Sequence, residues 1–170
     1  MNIKTWIIHA GTDRDPFTGA SGVPLYLAST FDQRRAVSGG GHDYTRSGNP
    51  TRDALEHAAA DLEGGASALA FASGMAAVSS VLLLFRPGDH LVVSEDVYGG
   101  SLRVLTRLFS DWGLTASFVD TTSPDAVRSA ITPQTRGIFV ETPSNPLLKI
   151  TDLAVIASMA KEREILRIAD

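Results

Sequence analysis

From Asn49 onward the chain alternates stretches of helical periodicity with short apolar runs that show no polar alternation, and no other feature limits its fold so strongly. A strand with one wet face alternates polar and apolar residues, whereas a strand that is apolar throughout must be covered on both faces. Helices placed between such strands supply both covers and the crossovers that parallel pairing requires. The expected fold class is α/β, a mostly parallel sheet flanked by helices.

The elements follow from local signals. Leu55, Ala58, Ala59 and Leu62 recur at helical spacing behind Asn49 as N-cap and Pro50 at the first helical position, and Gly64-Gly65 stops that helix. Ser67 to Ala72 reads as a short apolar strand. A second helix runs from Gly74 to Phe85, and Arg86-Pro87-Gly88-Asp89 turns into a strand from His90 to Ser94. Leu102, Leu105, Leu108, Phe109 and Trp112 mark a third helix, closed by Gly113, before a strand from Thr115 to Val119. Ser123 caps a helix opened by Pro124 and Asp125. Gly137 to Glu141 is a strand, Asp152 to Arg163 a helix, and Ile165 to Ala169 a final buried strand. Residues 1–48 lack sustained periodicity and include a Ser38-Gly39-Gly40-Gly41 hinge. They read as an irregular, extended N-terminal arm that crosses a surface, such as that of another subunit. Two domains result: an intersubunit arm over 1–48 and an α/β domain over 49–170, with no internal repeat.

Composition narrows the function. With 44% hydrophobic and 20% charged residues, 170 residues suffice for a sizeable core. The longest clear apolar run, Val81 to Phe85, is far below the roughly 20 residues that cross a bilayer. Trp6-Ile7-Ile8 gives way at once to His9, Gly11, Asp13 and Arg14, unlike a secretory signal, so a cytoplasmic location is the default expectation. A net charge of -4 offers no basic footprint for nucleic acid or anionic membrane, and the expected partner is a small molecule or another protein. There is no cysteine, and His9, His42, His57 and His90 share no metal-ligand spacing, so no metal is expected.

In an open α/β sheet, ligands bind where strands end, so the residues after each strand are the candidates. Ser73-Gly74-Met75 leads a strand straight into a helix, a seat for phosphate made of free amides and the positive helix end, and also an ordinary glycine turn. Tyr98, before Gly99-Gly100, can stack on a planar ligand or sit half-buried in a turn. Arg103 is placed to receive a substrate carboxylate or to be a solvated helix arginine. Two prolines stiffen Glu141-Thr142-Pro143-Ser144-Asn145-Pro146 around the Asn145 amide. Asp170 ends the last strand with a carboxylate. Upstream, Tyr44 and Arg46 stand two apart in a polar loop; in extended chain they project to one side and can converge on one anion, and the same stretch also serves as a plain lead into the next helix.

Taken in order, Tyr44-Thr45-Arg46-Ser47-Gly48-Asn49-Pro50-Thr51-Arg52, Ala72-Ser73-Gly74-Met75-Ala76-Ala77, Val97-Tyr98-Gly99-Gly100-Ser101 and Glu141-Thr142-Pro143-Ser144-Asn145-Pro146 resemble the cysteine and methionine metabolism (transsulfuration) family of pyridoxal-phosphate enzymes. That family includes cystathionine γ-synthase, cystathionine β-lyase, cystathionine γ-lyase and methionine γ-lyase. The resemblance implies the fold type I large domain, here incomplete, with pyridoxal 5'-phosphate as cofactor. It implies that Tyr44 and Arg46 hold the cofactor phosphate of a neighbouring subunit, and that Gly74 and Met75 offer amides to the same group. Tyr98 would stack on the pyridine ring and assist proton transfer, Asn145 would lie beside the ring hydroxyl, and Asp170 would pair with the pyridine nitrogen. Arg46, Tyr98 and Arg103 would contact substrate. It further implies a dimer of dimers with active sites shared between subunits.

The family's Schiff-base lysine and C-terminal domain find no match in these residues; Lys4, Lys149 and Lys161 occupy none of the corresponding positions, so the chain alone is expected to be inactive and poorly stable. The segment Thr142 to Leu153 looks most like bacterial cystathionine β-lyases, with cystathionine γ-synthase the runner-up. Gly100 stands where methionine γ-lyases typically carry cysteine. Two further readings are an inactive fragment that binds a partner through its arm, and a nucleotide-binding α/β module; the latter lacks any Gly-x-Gly-x-x-Gly or Gly-Lys-Ser/Thr loop after a strand.

Overall fold

The computed structural model of the protein describes residues 2–10, 14–33 and 41–170. Only Gly41 of the expected hinge is among them; Ser38, Gly39 and Gly40 lie outside. The chain forms two compact units, 1–72 and 73–170.

In the first unit the arm is not wholly irregular. A two-turn helix, α1 (Ile3–His9), begins where the Asn2 side chain accepts from the Lys4 amide. It was not legible because seven residues are too few for a periodic signal. Helix α2 (Pro50–Glu63) has the expected caps: Asn49 accepts from the Thr51 amide, and Gly64 closes it in the left-handed conformation at φ 62°. Its apolar stripe is not buried; Leu55 remains 60% exposed. The expected strand Ser67–Ala72 does not form. A strand exists only through a hydrogen-bonded neighbour, and here the Ala70 amide donates instead to the Glu56 carboxylate at 2.9 Å.

The second unit is the sheet. Helix α3 (Gly74–Leu82), capped by Ser73, leads to β1 (His90–Ser94). After it come α4 (Gly99–Arg103), a π-helical stretch (Val104–Phe109), β2 (Thr115–Val119), α5 (Pro124–Ala130), β3 (Thr135–Val140), α6 (Leu153–Lys161) and β4 (Leu166–Ala169). The third expected helix therefore changes pitch at Val104, which a pattern of apolar spacings does not resolve. All pairings are parallel, in the order β2-β1-β3-β4.

Period-two geometry explains the core. On β1, Leu91 and Val93 point into a cluster with Val78, Leu82, Phe85, Leu105 and Phe109, while Val92 points to the opposite face among Val127, Ile138, Ile156 and Met159. Both faces are covered, which is why β1 reads as a continuous apolar run. β4 is the exception: the expected buried strand is largely exposed, with Leu166 at 43%, because it lies at the sheet edge with β3 as its one partner among the described residues. His90 ties three strands together. Its Nδ1 lies 2.8 Å from the Thr135 hydroxyl of β3 and its Nε2 2.9 Å from the Ser117 hydroxyl of β2. Burial pushes its pKa below the usual imidazole value. Among the described residues no helix is long and apolar enough to cross a membrane, and no group of three histidine or acidic side chains is placed to hold a metal.

Candidate active site

The chain leaves β1 toward β2 on one side and later returns to place β3 on the other, so β1 and β3 flank the topological switch point of the sheet. Their carboxyl ends diverge into separate loops and leave a crevice there. A cleft of about 580 Å³ occupies it, within the size range of ligand pockets. Around it stand Gly74 and Met75 of α3, Tyr98 after β1, Asn145 after β3 and Asp170 after β4. Five residues singled out from four separate stretches of sequence thus share one rim.

Each part is positioned by its own local chemistry. The Ser73 hydroxyl accepts from the Ala76 amide at 3.2 Å, which leaves the first two helix amides, those of Gly74 and Met75, without an intrahelical acceptor. A Cβ added at Gly74 would meet nothing within 4 Å, so an anion can come up to the backbone there. The Tyr98 ring is 48% exposed in the cleft wall. Beneath it, Gly100 gives the ring its room: a Cβ would stand 2.6 Å from Tyr98 Cε1 and 2.7 Å from Met75 Sδ, and both side chains would have to shift. Asp170 is fixed through its backbone, its amide donating to Val140 O at 2.9 Å and its carbonyl accepting from the Thr142 amide at 3.1 Å.

Behind the rim runs a line of buried hydroxyls. Glu141 N donates to Ser94 Oγ at 3.3 Å; Ser94 Oγ meets Thr121 Oγ1 at 2.8 Å, and Thr121 Oγ1 meets Thr151 Oγ1 at 2.8 Å. The Thr151 amide then donates to Thr142 Oγ1 at 3.0 Å. This line joins the ends of β1, β2 and β3 to the segment before α6. Lys149 is engaged elsewhere, with its Nζ 2.8 Å from Glu95 Oε1 and 3.3 Å from Asp120 Oδ2. The hydrogen bond to Glu95 chiefly raises its pKa. Among the described residues no lysine lines the cleft.

Arg103 is on α4 with its guanidinium toward Gly99 and does not line the cleft. Tyr44 and Arg46 belong to the first unit, where they lie against each other in a turn rather than in extended chain. The Ser47 and Gly48 amides both donate to Tyr44 O, closing a turn that sets the Arg46 guanidinium 4.8 Å from the Tyr44 ring centroid. Asn49 braces this turn by donating to the Thr45 hydroxyl at 2.8 Å.

Sequence reasoning passed over Glu141 and Asp96 as actors. Glu141 is buried and its Oε2 accepts from the Tyr98 amide at 2.7 Å; Asp96 accepts from the Ser144 hydroxyl and, at 3.0 Å, from the Leu147 amide. No sequence signal announces a carboxylate bonded to a backbone amide 43 or 51 positions away.

The cleft's donor set is specific in kind: amides at a helix start, an aromatic face and a carboxylate. It fits an anionic group, a flat ring and a cationic or protonated ring atom in one ligand, as pyridoxal 5'-phosphate carries. Fold and rim together define a parallel α/β domain whose binding cleft lies at the switch point.

Comparison with known proteins gives the family. The profile of the Cys/Met metabolism PLP-dependent enzymes matches residues 4–170, and the chain belongs to that family. It is 51% identical to a cystathionine beta-lyase of Coxiella burnetii, over 99% of this chain and 44% of the relative. It is 50% identical to a cystathionine gamma-synthase of Mycobacterium bovis, over 94% of this chain and 42% of the relative. The solved structure of cystathionine gamma-lyase from Lactobacillus plantarum, complexed with L-serine, superposes with a TM-score of 0.96 at 47% identity, covering all of this chain and 44% of that one. The chain thus spans less than half the length of these relatives.

Proposed function

We propose that this chain forms the cofactor-binding part of a pyridoxal-phosphate-dependent transsulfuration enzyme that cleaves the C–S bond of L-cystathionine on the β side, working in the cytoplasm as a homo-oligomer. The observation that carries the reading is the convergence of Gly74, Met75, Tyr98, Asn145 and Asp170 on one cleft at the switch point, in a member of this family. The cofactor, when bound, supplies an electron sink that acidifies the substrate's Cα–H.

The chain's own residues do the rest. The Gly74 and Met75 amides, at the positive end of α3, bind the phosphate. The Tyr98 ring covers one face of the pyridine, and its phenol holds or passes a proton at Oη. The Asp170 carboxylate keeps a proton on the pyridine nitrogen by charge pairing. Asn145 orients the ring by a hydrogen bond to its hydroxyl. Tyr44 and Arg46 close on the phosphate of a neighbouring subunit, and Arg46 and Arg103 receive substrate carboxylate. The β-side preference rests on the Thr142–Leu153 segment; the gamma-synthase and gamma-lyase relatives keep those two reactions as the second reading.

Fluorescence titration with pyridoxine 5'-phosphate, which lacks the aldehyde and so cannot couple to stray lysines, tests the seat. Saturable binding is expected, together with at least about tenfold weaker binding of dephosphorylated pyridoxine, since removing a charge-assisted contact costs about that much. Equal affinities for the two would remove the phosphate seat. In the cofactor-loaded protein, pyruvate and homocysteine from L-cystathionine mark the β reaction, 2-oxobutyrate and cysteine the γ reaction. The third reading is an inactive fragment without the Schiff-base lysine, in keeping with the lack of a lysine among the described residues that line the cleft.

A further inference from the structure

Glu141, which lines the cleft, and Asp96, in the loop after β1, reach into each other's loops. Glu141, immediately after β3, is 7% exposed, and its Oε2 reaches across to the Tyr98 amide at 2.7 Å. Asp96, in the loop after β1, reaches back: its Oδ2 accepts from the Ser144 hydroxyl and from the Leu147 amide at 3.0 Å. Those two bonds bracket Asn145. The loop after β1 therefore receives a carboxylate from the loop after β3 and returns one.

Among the described residues neither carboxylate is in an ion pair. Desolvating such a group is unfavourable unless its hydrogen bonds are specific, and these come from two backbone amides and a serine hydroxyl rather than from a cation. The Tyr98 bond also falls at the start of α4, where Tyr98 has no side-chain cap of its own, so the carboxylate fixes the turn that aims the ring. Gly100 leaves room for that ring and for Met75, since a Cβ there would stand 2.6 Å from the one and 2.7 Å from the other.

We infer that Glu141 and Asp96 are a reciprocal pair of positioning residues, which set the Tyr98 ring and the Asn145 amide on the two walls of the cleft. The inference rests on the cofactor reading above for what the cleft holds. A pair that merely braced the fold would alter stability and leave ligand affinity alone.

The test uses the whole chain, isotopically labelled, with amide hydrogen exchange read at Tyr98 and Leu147 and pyridoxine 5'-phosphate as the probe. Glu141→Ala is expected to raise exchange at Tyr98 and to weaken the probe by about tenfold each, the usual effect of deleting a hydrogen bond to a charged group. Asp96→Ala is expected to do the same at Leu147. Glu141→Gln and Asp96→Asn keep an acceptor oxygen and should restore most of both quantities. If an alanine variant does not fold, the amide variants and the wild-type exchange rates carry the test.

Three results overturn the inference: freed amides with unchanged affinity, weakened affinity with the amides still protected, or no rescue by glutamine and asparagine. If the wild type fails to bind pyridoxine 5'-phosphate, the cofactor reading falls, and fast exchange at Tyr98 and Leu147 would then also remove the positioning role, whereas protected amides would keep it.

Discussion

Gly137, in the middle of the sheet on β3, has almost no space for a side chain, and Gly137→Ala measures how rigid that packing is. A Cβ there would stand 2.5 Å from Leu91 Cδ2 and 2.7 Å from Phe85 Cζ. Carbon atoms in contact sit at about 3.5–4.0 Å, so both neighbours must retreat by roughly 1 Å. Neither has free volume to retreat into, with Leu91 fully buried and Phe85 only 4% exposed. Overpacking of this kind costs about 1–3 kcal/mol, and the lost backbone freedom of the unfolded chain returns about 0.4–1 kcal/mol. The net expectation is about 1–2 kcal/mol of destabilisation. For a unit of roughly 100 residues that lowers the melting temperature by about 4–16 °C. Urea unfolding followed by far-ultraviolet circular dichroism reads the change, with an unaltered slope against denaturant. In a Leu91→Ala background the same methyl should cost clearly less, since the vacated volume accepts it. An equal cost in both backgrounds, or a variant as stable as wild type, would refute the steric account.

The same nominal clash has the opposite readout at Gly100. There the obstructing Tyr98 ring is half exposed and can swing, and alanine favours the helix by about 1 kcal/mol, so Gly100→Ala should leave stability nearly unchanged but weaken pyridoxine 5'-phosphate by about tenfold in a fluorescence titration. His90 gives a pH signature. Its folded pKa lies below the unfolded value of about 6.5, so its contribution to stability is whole above that pH and declines as pH falls through it. Urea midpoints should drop between pH 7.5 and 5.5, and less so in His90→Gln. Asp120, held below the usual carboxylate range chiefly by the Thr122 hydroxyl, loses its contribution only in more acidic solution, outside this window.

Punctuation made much of the fold legible. Asn49, Pro50 and Gly64 bound α2, and Ser123 with Pro124 opens α5, because caps act through one or two neighbouring amides. Tyr98, Asn145 and Asp170 were legible because strand ends can be located and in a parallel sheet they face the same way, whereas Gly74 and Met75 were found from the helix start that Ser73 caps, the strand expected before them not forming. What stayed hidden depends on partners distant in sequence. Ser67–Ala72 has the residues of a strand and no neighbour to pair with. β4 has the apolar character of a buried strand and an edge position. Glu141 and Asp96 look like surface acids until the opposite loop comes beside them. Tyr44 and Arg46 were expected side by side in extended chain, whereas a turn sets the guanidinium against the ring.

The line of hydroxyls from Ser94 through Thr121 to Thr151 makes a particular demand on its middle member. Thr121 makes both of the 2.8 Å bonds with a single proton, so it gives in at most one of them and must receive in at least one. Valine has the outline of threonine and can do neither, so at position 121 the substitution gentlest in shape is harsh in chemistry, and serine, smaller but still two-handed, is the better replacement.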